Sequence, residues 1–255
     1  MAKVITITNQ KGGVGKTTTS VNLAYYLAKA GKEVLLVDLD PQGNACSGLG
    51  VDKESLQKSM CDVMVGDADI SEIVLKLKTK KLSIAPTTAR LADAEAEIAS
   101  EESAKRFLML KNAIAKVSDQ YDYIIIDSPP SLSLLTVNGM FAANYVLIPV
   151  QTEFYALEGV AQLLNSMAAV RKNNTGLKLL GIVATMYDRR TQLSSQVYAD
   201  IKKYFTDKVF ETTIPRNIRL AEAPSHGVPI GEYDRFCKGA KAYKKLAQEV
   251  IERTK

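Results

Sequence analysis

This sequence predicts an α/β fold built on a doubly wound, mostly parallel sheet flanked by helices, and three observations predict it. Apolar runs rich in β-branched residues alternate with segments of helical period along the chain. Several of the runs are nearly continuous in apolar character, as strands covered on both faces require. A glycine-rich loop joins the first run to the first helical segment. The 255 residues show no repeat, low-complexity tract or linker, so the chain reads as one domain spanning 1–255.

The strands follow in order. Residues 4–8 (Val-Ile-Thr-Ile-Thr) open the series, and 34–37, 82–85 and 123–126 are short apolar runs bounded by polar or turn-forming residues. Residues 145–150, 179–184 and 209–214 complete it. Helical period marks 17–30, 70–77, 91–99, 104–117, 132–143, 157–171, 194–205 and about 238–252. In the last of these, Ala240, Tyr243, Leu246, Ala247, Val250 and Ile251 form one stripe opposite a Lys- and Glu-rich face. A basic amphipathic helix can lie on a membrane. This one lacks Trp and Phe, and Glu249 and Glu252 interrupt its positive face, so docking on the sheet is expected.

The loop Lys11-Gly12-Gly13-Val14-Gly15-Lys16-Thr17 carries the chemistry. Glycines free the backbone to curl so that successive N–H groups point at one anion, which the positive end of the following helix also favours. Lys16 is placed to reach the terminal phosphates of a nucleotide, and the Thr17 hydroxyl to hold Mg²⁺. The usual P-loop spacing puts a further glycine where Gln10 stands, so this is a variant with an additional lysine, Lys11. Two more strands end in acid. Residues 34–37 run into Asp38-Leu39-Asp40-Pro41-Gln42-Gly43-Asn44, and 123–126 into Asp127-Ser128-Pro129-Pro130. Ligands of open α/β sheets sit beyond the carboxyl ends of the strands, so all three aspartates converge on the loop. Asp127 fits the Walker B role on Mg²⁺. Of Asp38 and Asp40, one is suited to the metal shell and the other to the attacking water; strand-end turns and helix caps are the alternative uses of all three.

Bulk properties narrow the class. A hydrophobic fraction of 46% with 24% charged residues is that of a folded globular protein. No run approaches the length of a membrane span, and the N-terminus has no leader pattern. Cys46, Cys61 and Cys237 are scattered and odd in number, which points to a reducing compartment rather than a disulfide framework. Without a Cys-x-x-Cys pair an iron–sulfur or zinc site is not expected, and His226 reads as a loop residue. The net charge of +5 is uneven: residues 1–170 carry 16 Lys+Arg against 19 Asp+Glu (−3), and residues 171–255 carry 17 against 9 (+8). The basic last third suits a polyanion partner or a solvated face.

Taken together, the loop with Thr18, the Asp38–Asn44 stretch and Asp127-Ser128-Pro129-Pro130 resemble the deviant Walker A ATPases, and among them the ParA/Soj chromosome- and plasmid-partitioning ATPases. The similarity runs nearly end to end and includes Tyr155-Ala156-Leu157-Glu158-Gly159 and the 214–227 stretch from Ile214-Pro215-Arg216-Asn217 to Gly227. The short N-terminus is like the small members, without a separate N-terminal DNA-binding domain. The resemblance implies ATP/ADP and Mg²⁺ as cofactors, held by Lys11, Gly12, Gly13, Val14, Gly15, Lys16, Thr17 and Thr18. It implies Lys11 reaching the nucleotide of a second subunit, with Gly12 at the loop-to-loop contact. It assigns Asp40 to the hydrolytic water and Pro215 and Asn217 to adenine, and leaves Thr17, Asp127 and Asp38 as the metal candidates read from the loop and the strand ends. It further implies an ATP-bound homodimer that binds DNA without sequence preference through Arg190 and Arg219. Arg189, Arg216, Lys202 and Lys203 are plausible neighbours. The implied partner is a ParB-type centromere-binding protein, and the implied location is the cytoplasm, on the nucleoid. A membrane-cycling relative of MinD type is the alternative; it calls for a C-terminal membrane helix.

Overall fold

A strand covered on both faces must be apolar at every position, because successive side chains point to opposite faces. Val34–Val37 and Tyr123–Ile126 meet that demand, and every residue of both strands is buried, including the Asp38 and Asp127 that close them. The computed structural model describes residues 1–100 and 104–255. Along them run β1 (Lys3–Ile7), α1 (Lys16–Lys29), β2 (Val34–Asp38), α2 (Asn44–Gly48), α3 (Met60–Val65), α4 (Ile70–Ile73), β3 (Leu75–Lys76), β4 (Leu82–Ala85), α5 (Leu91–Ser100), α6 (Met109–Ala115), β5 (Tyr123–Asp127), α7 (Leu134–Ala142), β6 (Tyr145–Gln151), α8 (Ala156–Arg171), β7 (Lys178–Thr185), α9 (Gln192–Phe205), α10 (Ile218–Glu222), α11 (Ile230–Tyr233) and α12 (Lys238–Arg253).

The strands form one sheet in the order β3-β4-β2-β5-β1-β6-β7, parallel except for the short edge strand β3. Alternation sorts each central strand onto two cores. Ile5, Leu36, Ile125 and Val183 pack with α1 and α12 on one face. Leu35, Val37, Ile124, Ile126 and Ile148 pack with residues of α3, α5, α7 and α8 on the other. Helix α12 docks as its stripe predicts: Ala240, Tyr243, Leu246, Ala247 and Val250 are buried, and the Tyr243 hydroxyl lies 3.1 Å from Thr19 Oγ1 of α1. No helix of the described residues is long and apolar enough to cross a membrane.

Three expected elements come out differently. Residues 209–214 are not a strand: they touch β7 only through isolated bridges such as Ile182 with Val209, and Glu249 of α12 accepts the N–H groups of Glu211 and Thr212. The expected helix 70–77 stops at Ile73. Val74 turns extended, and Leu75–Lys76 pairs antiparallel with β4. The expected helix 104–117 is regular only over Met109–Ala115. Asn138 of α7 takes the Arg106 carbonyl at 2.8 Å and the Leu110 N–H at 3.4 Å, which anchors the turn before the helix.

Candidate functional site

Register places the acids. Asp127, the last residue of β5, lies opposite Ile7 of β1 on one side and Asp38 of β2 on the other. The chain leaves β1 at that edge and enters the glycine loop, so loop and carboxylates share the carboxyl end of the sheet. Gly13 (φ 74°) and Gly15 (φ 87°) are in the left-handed region, where a side chain is strained. The loop is braced from below. The Asn9 side chain donates to the Pro149 carbonyl (2.8 Å) and accepts from Lys11 N (3.0 Å), and Thr185 Oγ1 at the end of β7 donates to the Val14 carbonyl (2.8 Å). Helix α1 begins at Lys16 with no side-chain cap and no acid in its first turn, which leaves its N-terminal donors facing the loop.

Inside that curve Lys16 is buried, and Nζ donates to the Lys11 carbonyl at 3.0 Å. Burial lowers the pKa of its ammonium, while Asp127 and Asp40 pull it back up. Asp127 is fully buried, and burial, with the charge of Asp38 second, raises its pKa. Ser20 of α1 donates to its Oδ1 at 2.7 Å, but Oδ2 has no partner. An orphaned buried carboxylate oxygen is costly and calls for a cation or an ordered water. Among the described residues no group of three His, Cys, Asp or Glu side chains forms a protein-only metal cage. Mg²⁺ at nucleotide sites takes one or two protein ligands and completes its shell with phosphates and water, so one free carboxylate oxygen beside Thr17 fits it.

Asp38 is equally buried, but its oxygens accept from Cys46 N (2.9 Å) and Asp40 N (3.3 Å), so it shapes the turn that carries Asp40. Asp40 is 6% exposed and accepts from Gln42 N at 3.0 Å. Lys11 stands outside this cluster. It is exposed, and its Nζ meets Glu153 Oε2 at 2.6 Å, while Gln151 holds the other oxygen of Glu153. A Cβ at Gly12 would meet no atom within 4 Å. A cleft of about 290 Å³ opens beside Thr17 and Thr18, walled by Asn44, Ser47 and Pro224.

The remaining candidates lie on the loop after β7 and on the segment that leads into α10, which Tyr187 and Pro215 bridge. Asn217 caps α10 by accepting from Arg219 N at 2.9 Å. Arg190 is 88% exposed and pairs with Asp188, whose carboxyl it holds well below the usual carboxylate range. Arg219 pairs with Glu222 at 2.9 Å and also faces Asp234 and the Tyr233 ring. Sequence reading missed Ser20, Glu153, Asn9 and Thr185. Ser20 follows Lys16 by four residues and so shares its helix face, and Glu153 follows the end of β6, the neighbour of β1; both were findable by those rules.

Fold and loop together define a nucleotide-binding protein of the P-loop α/β class. A family model described as an AAA domain matches residues 2–179. The chain is 54% identical over 251 residues to the sporulation initiation inhibitor protein Soj of Bacillus subtilis strain 168, covering 98% of each. It is 48% identical over 254 residues to the chromosome-partitioning ATPase Soj of Treponema pallidum strain Nichols, covering 99% of this chain and 98% of that one. Among solved structures it resembles a cobyrinic acid a,c-diamide synthase from Mycobacterium smegmatis with bound ADP and magnesium, at TM-score 0.87 and 36% identity, over 100% of this chain and 96% of that chain. The chain belongs to the ParA/Soj family of chromosome-partitioning ATPases.

Proposed function

We infer that this chain, acting as one domain over 1–255, is an ATP-driven partition switch. It binds ATP or ADP with Mg²⁺, pairs with a second copy while ATP is intact, and in that state holds DNA without sequence preference. Hydrolysis, stimulated by a ParB-type partner, resets it. One observation carries the reading: buried Lys16, Asp40 and Asp127 surround the glycine loop from within, while Lys11 and Gly12 stand open at its rim. The inner set suits the phosphates and metal of one nucleotide; the Lys11 side chain points away from that set to an exposed pair with Glu153, and Gly12 leaves the rim open to a second copy.

In this scheme Lys16 and the loop N–H groups hold the β- and γ-phosphates. Thr17 and the free oxygen of Asp127 hold Mg²⁺, which when bound neutralises phosphate charge. Asp40 orients a water towards the γ-phosphorus. The new P–O bond forms as the bond to the bridging oxygen breaks, leaving ADP and phosphate. Lys11 gives up Glu153 and reaches the partner copy's phosphates, adding a cation where charge builds. Pro215 and Asn217 border the adenine.

Arg190, on the loop after β7, and Arg219, in the first turn of α10, are exposed on adjoining segments, as sequence-independent phosphate contacts require. The membrane-cycling alternative needs an apolar face free for lipid, and that of α12 is spent on the core. Co-sedimentation with DNA and with liposomes, each in ATP and in ADP, tests the reading. Salt-sensitive DNA binding in ATP alone is expected; liposome binding without DNA binding would overturn it.

A further inference from the structure

A second cleft, larger than the one beside Thr17, lies away from the nucleotide end of the sheet. It opens about 600 Å³ at the amino-terminal ends of β6 and β7, between the last turns of α8 and α12. Strands of this length put it about 20 Å from the glycine loop. Its charged lining is all of one sign: Arg171, Lys178, Lys208 and Arg253, with no Asp or Glu among the lining residues. Its floor is apolar, with Leu164, Met167 and Leu179.

Local duties account for half of this charge. Arg253 donates to the Leu180 and Val209 carbonyls, pairs with Glu249 and lies over the Phe210 ring, so it builds the wall. Lys208 pairs with Asp207 at 2.8 Å. Arg171 and Lys178 are exposed, and among the described residues neither has a carboxylate partner. Arg171 sits in the last turn of α8, where the helix dipole favours a cation, but Lys178 begins a strand and serves no helix end.

Apolar floor and cationic rim together select the occupant. A DNA backbone offers phosphates but nothing to cover a floor of Leu and Met. A lipid surface needs large apolar side chains projecting from the rim, and none of the exposed Phe, Tyr, Leu or Ile residues lines this cleft. A basic segment is repelled. We propose that the cleft docks an acidic segment of a partner protein, one bulky apolar side chain entering the floor and flanking carboxylates meeting Arg171 and Lys178. This site is independent of the nucleotide site and does not rest on the partition reading.

The probe is a fluorescein-labelled peptide of alternating Glu and Leu, read by polarisation against the full-length protein, beside the same peptide with Lys for Glu, a short DNA duplex and phosphatidylglycerol vesicles. Saturable binding of the acidic peptide alone is expected. It should weaken by about tenfold or more in the Arg171→Glu, Lys178→Glu double variant, the scale of losing two charge-assisted contacts. A Lys244→Glu, Lys245→Glu control on the exposed face of α12 should bind as the parent does, and basal ATP turnover should be equal in all three proteins. Both substituted pairs are exposed, so the fold is kept, as circular dichroism will register. The proposal is overturned if the acidic peptide does not bind, if the basic peptide binds as well, if the Arg171/Lys178 reversal leaves its affinity unchanged, or if that reversal instead abolishes binding to duplex or vesicles.

Discussion

Three aspartates end strands at the same edge of the sheet, yet each has a different environment. Asp38 is saturated by backbone N–H groups, Asp127 keeps one oxygen free, and Asp40 faces the loop at the surface of the cluster. That division sets the expected behaviour of single substitutions. Lys16→Ala should weaken ATP binding by about tenfold to a hundredfold in titration calorimetry, the worth of a buried charge-assisted contact to phosphate. Asp40→Ala should bind ATP normally but turn it over at least about a hundredfold more slowly, the scale of a lost water-positioning group. Unchanged turnover would remove the role given to Asp40. The glycines, lysines and aspartates were legible because the chemistry demands those residue types at those positions. Which aspartate keeps a free oxygen was not, because that depends on where the turn after β2 directs the N–H groups of Asp40 and Cys46.

At the scale of elements, the parallel strands were readable because burial on both faces leaves few polar positions, such as Thr6 and Ser83, to interrupt the apolar runs. Residues 209–214 are apolar at both ends but fail as a continuous strand: Phe210 and Ile214 donate to the Ile182 and Ala184 carbonyls of β7, while the N–H groups of Glu211 and Thr212 between them go to Glu249, more than thirty residues further on. Apolar content reports burial; it does not report which partner satisfies the backbone. Helix α12 shows the opposite case, where the stripe alone identified the docked face. Leu246, fully buried against α1 and the sheet, should cost about 2–5 kcal/mol when cut to Ala in urea denaturation. Tyr243→Phe should cost only about 1 kcal/mol, the single contact to Thr19. A Leu246→Ala protein as stable as the parent would mean that the stripe is free for another surface.

For the whole molecule, the uneven charge is spread over several surfaces, and two of its basic regions lie at opposite ends of the sheet. Arg190, on the loop after β7, and Arg219, in α10, lie beyond the carboxyl ends of the strands, and Arg171 and Lys178 at the amino-terminal cleft. Reversing Arg190 and Arg219 to Glu should lower DNA affinity and flatten its dependence on salt while leaving nucleotide-driven pairing intact. A normal affinity in both would move the DNA footprint elsewhere. Gly12→Val separates folding from pairing: the single chain has room for a Cβ there, so its stability should stay within about 0.5 kcal/mol of the parent while the dimer is lost. The most direct test is sedimentation of the Asp40→Ala protein with Mg²⁺ and ATP, where hydrolysis no longer empties the site. Expected is a species of twice the monomer mass that reverts to monomer in ADP. A protein that remains monomeric with intact ATP in its loop would contradict the proposed switch.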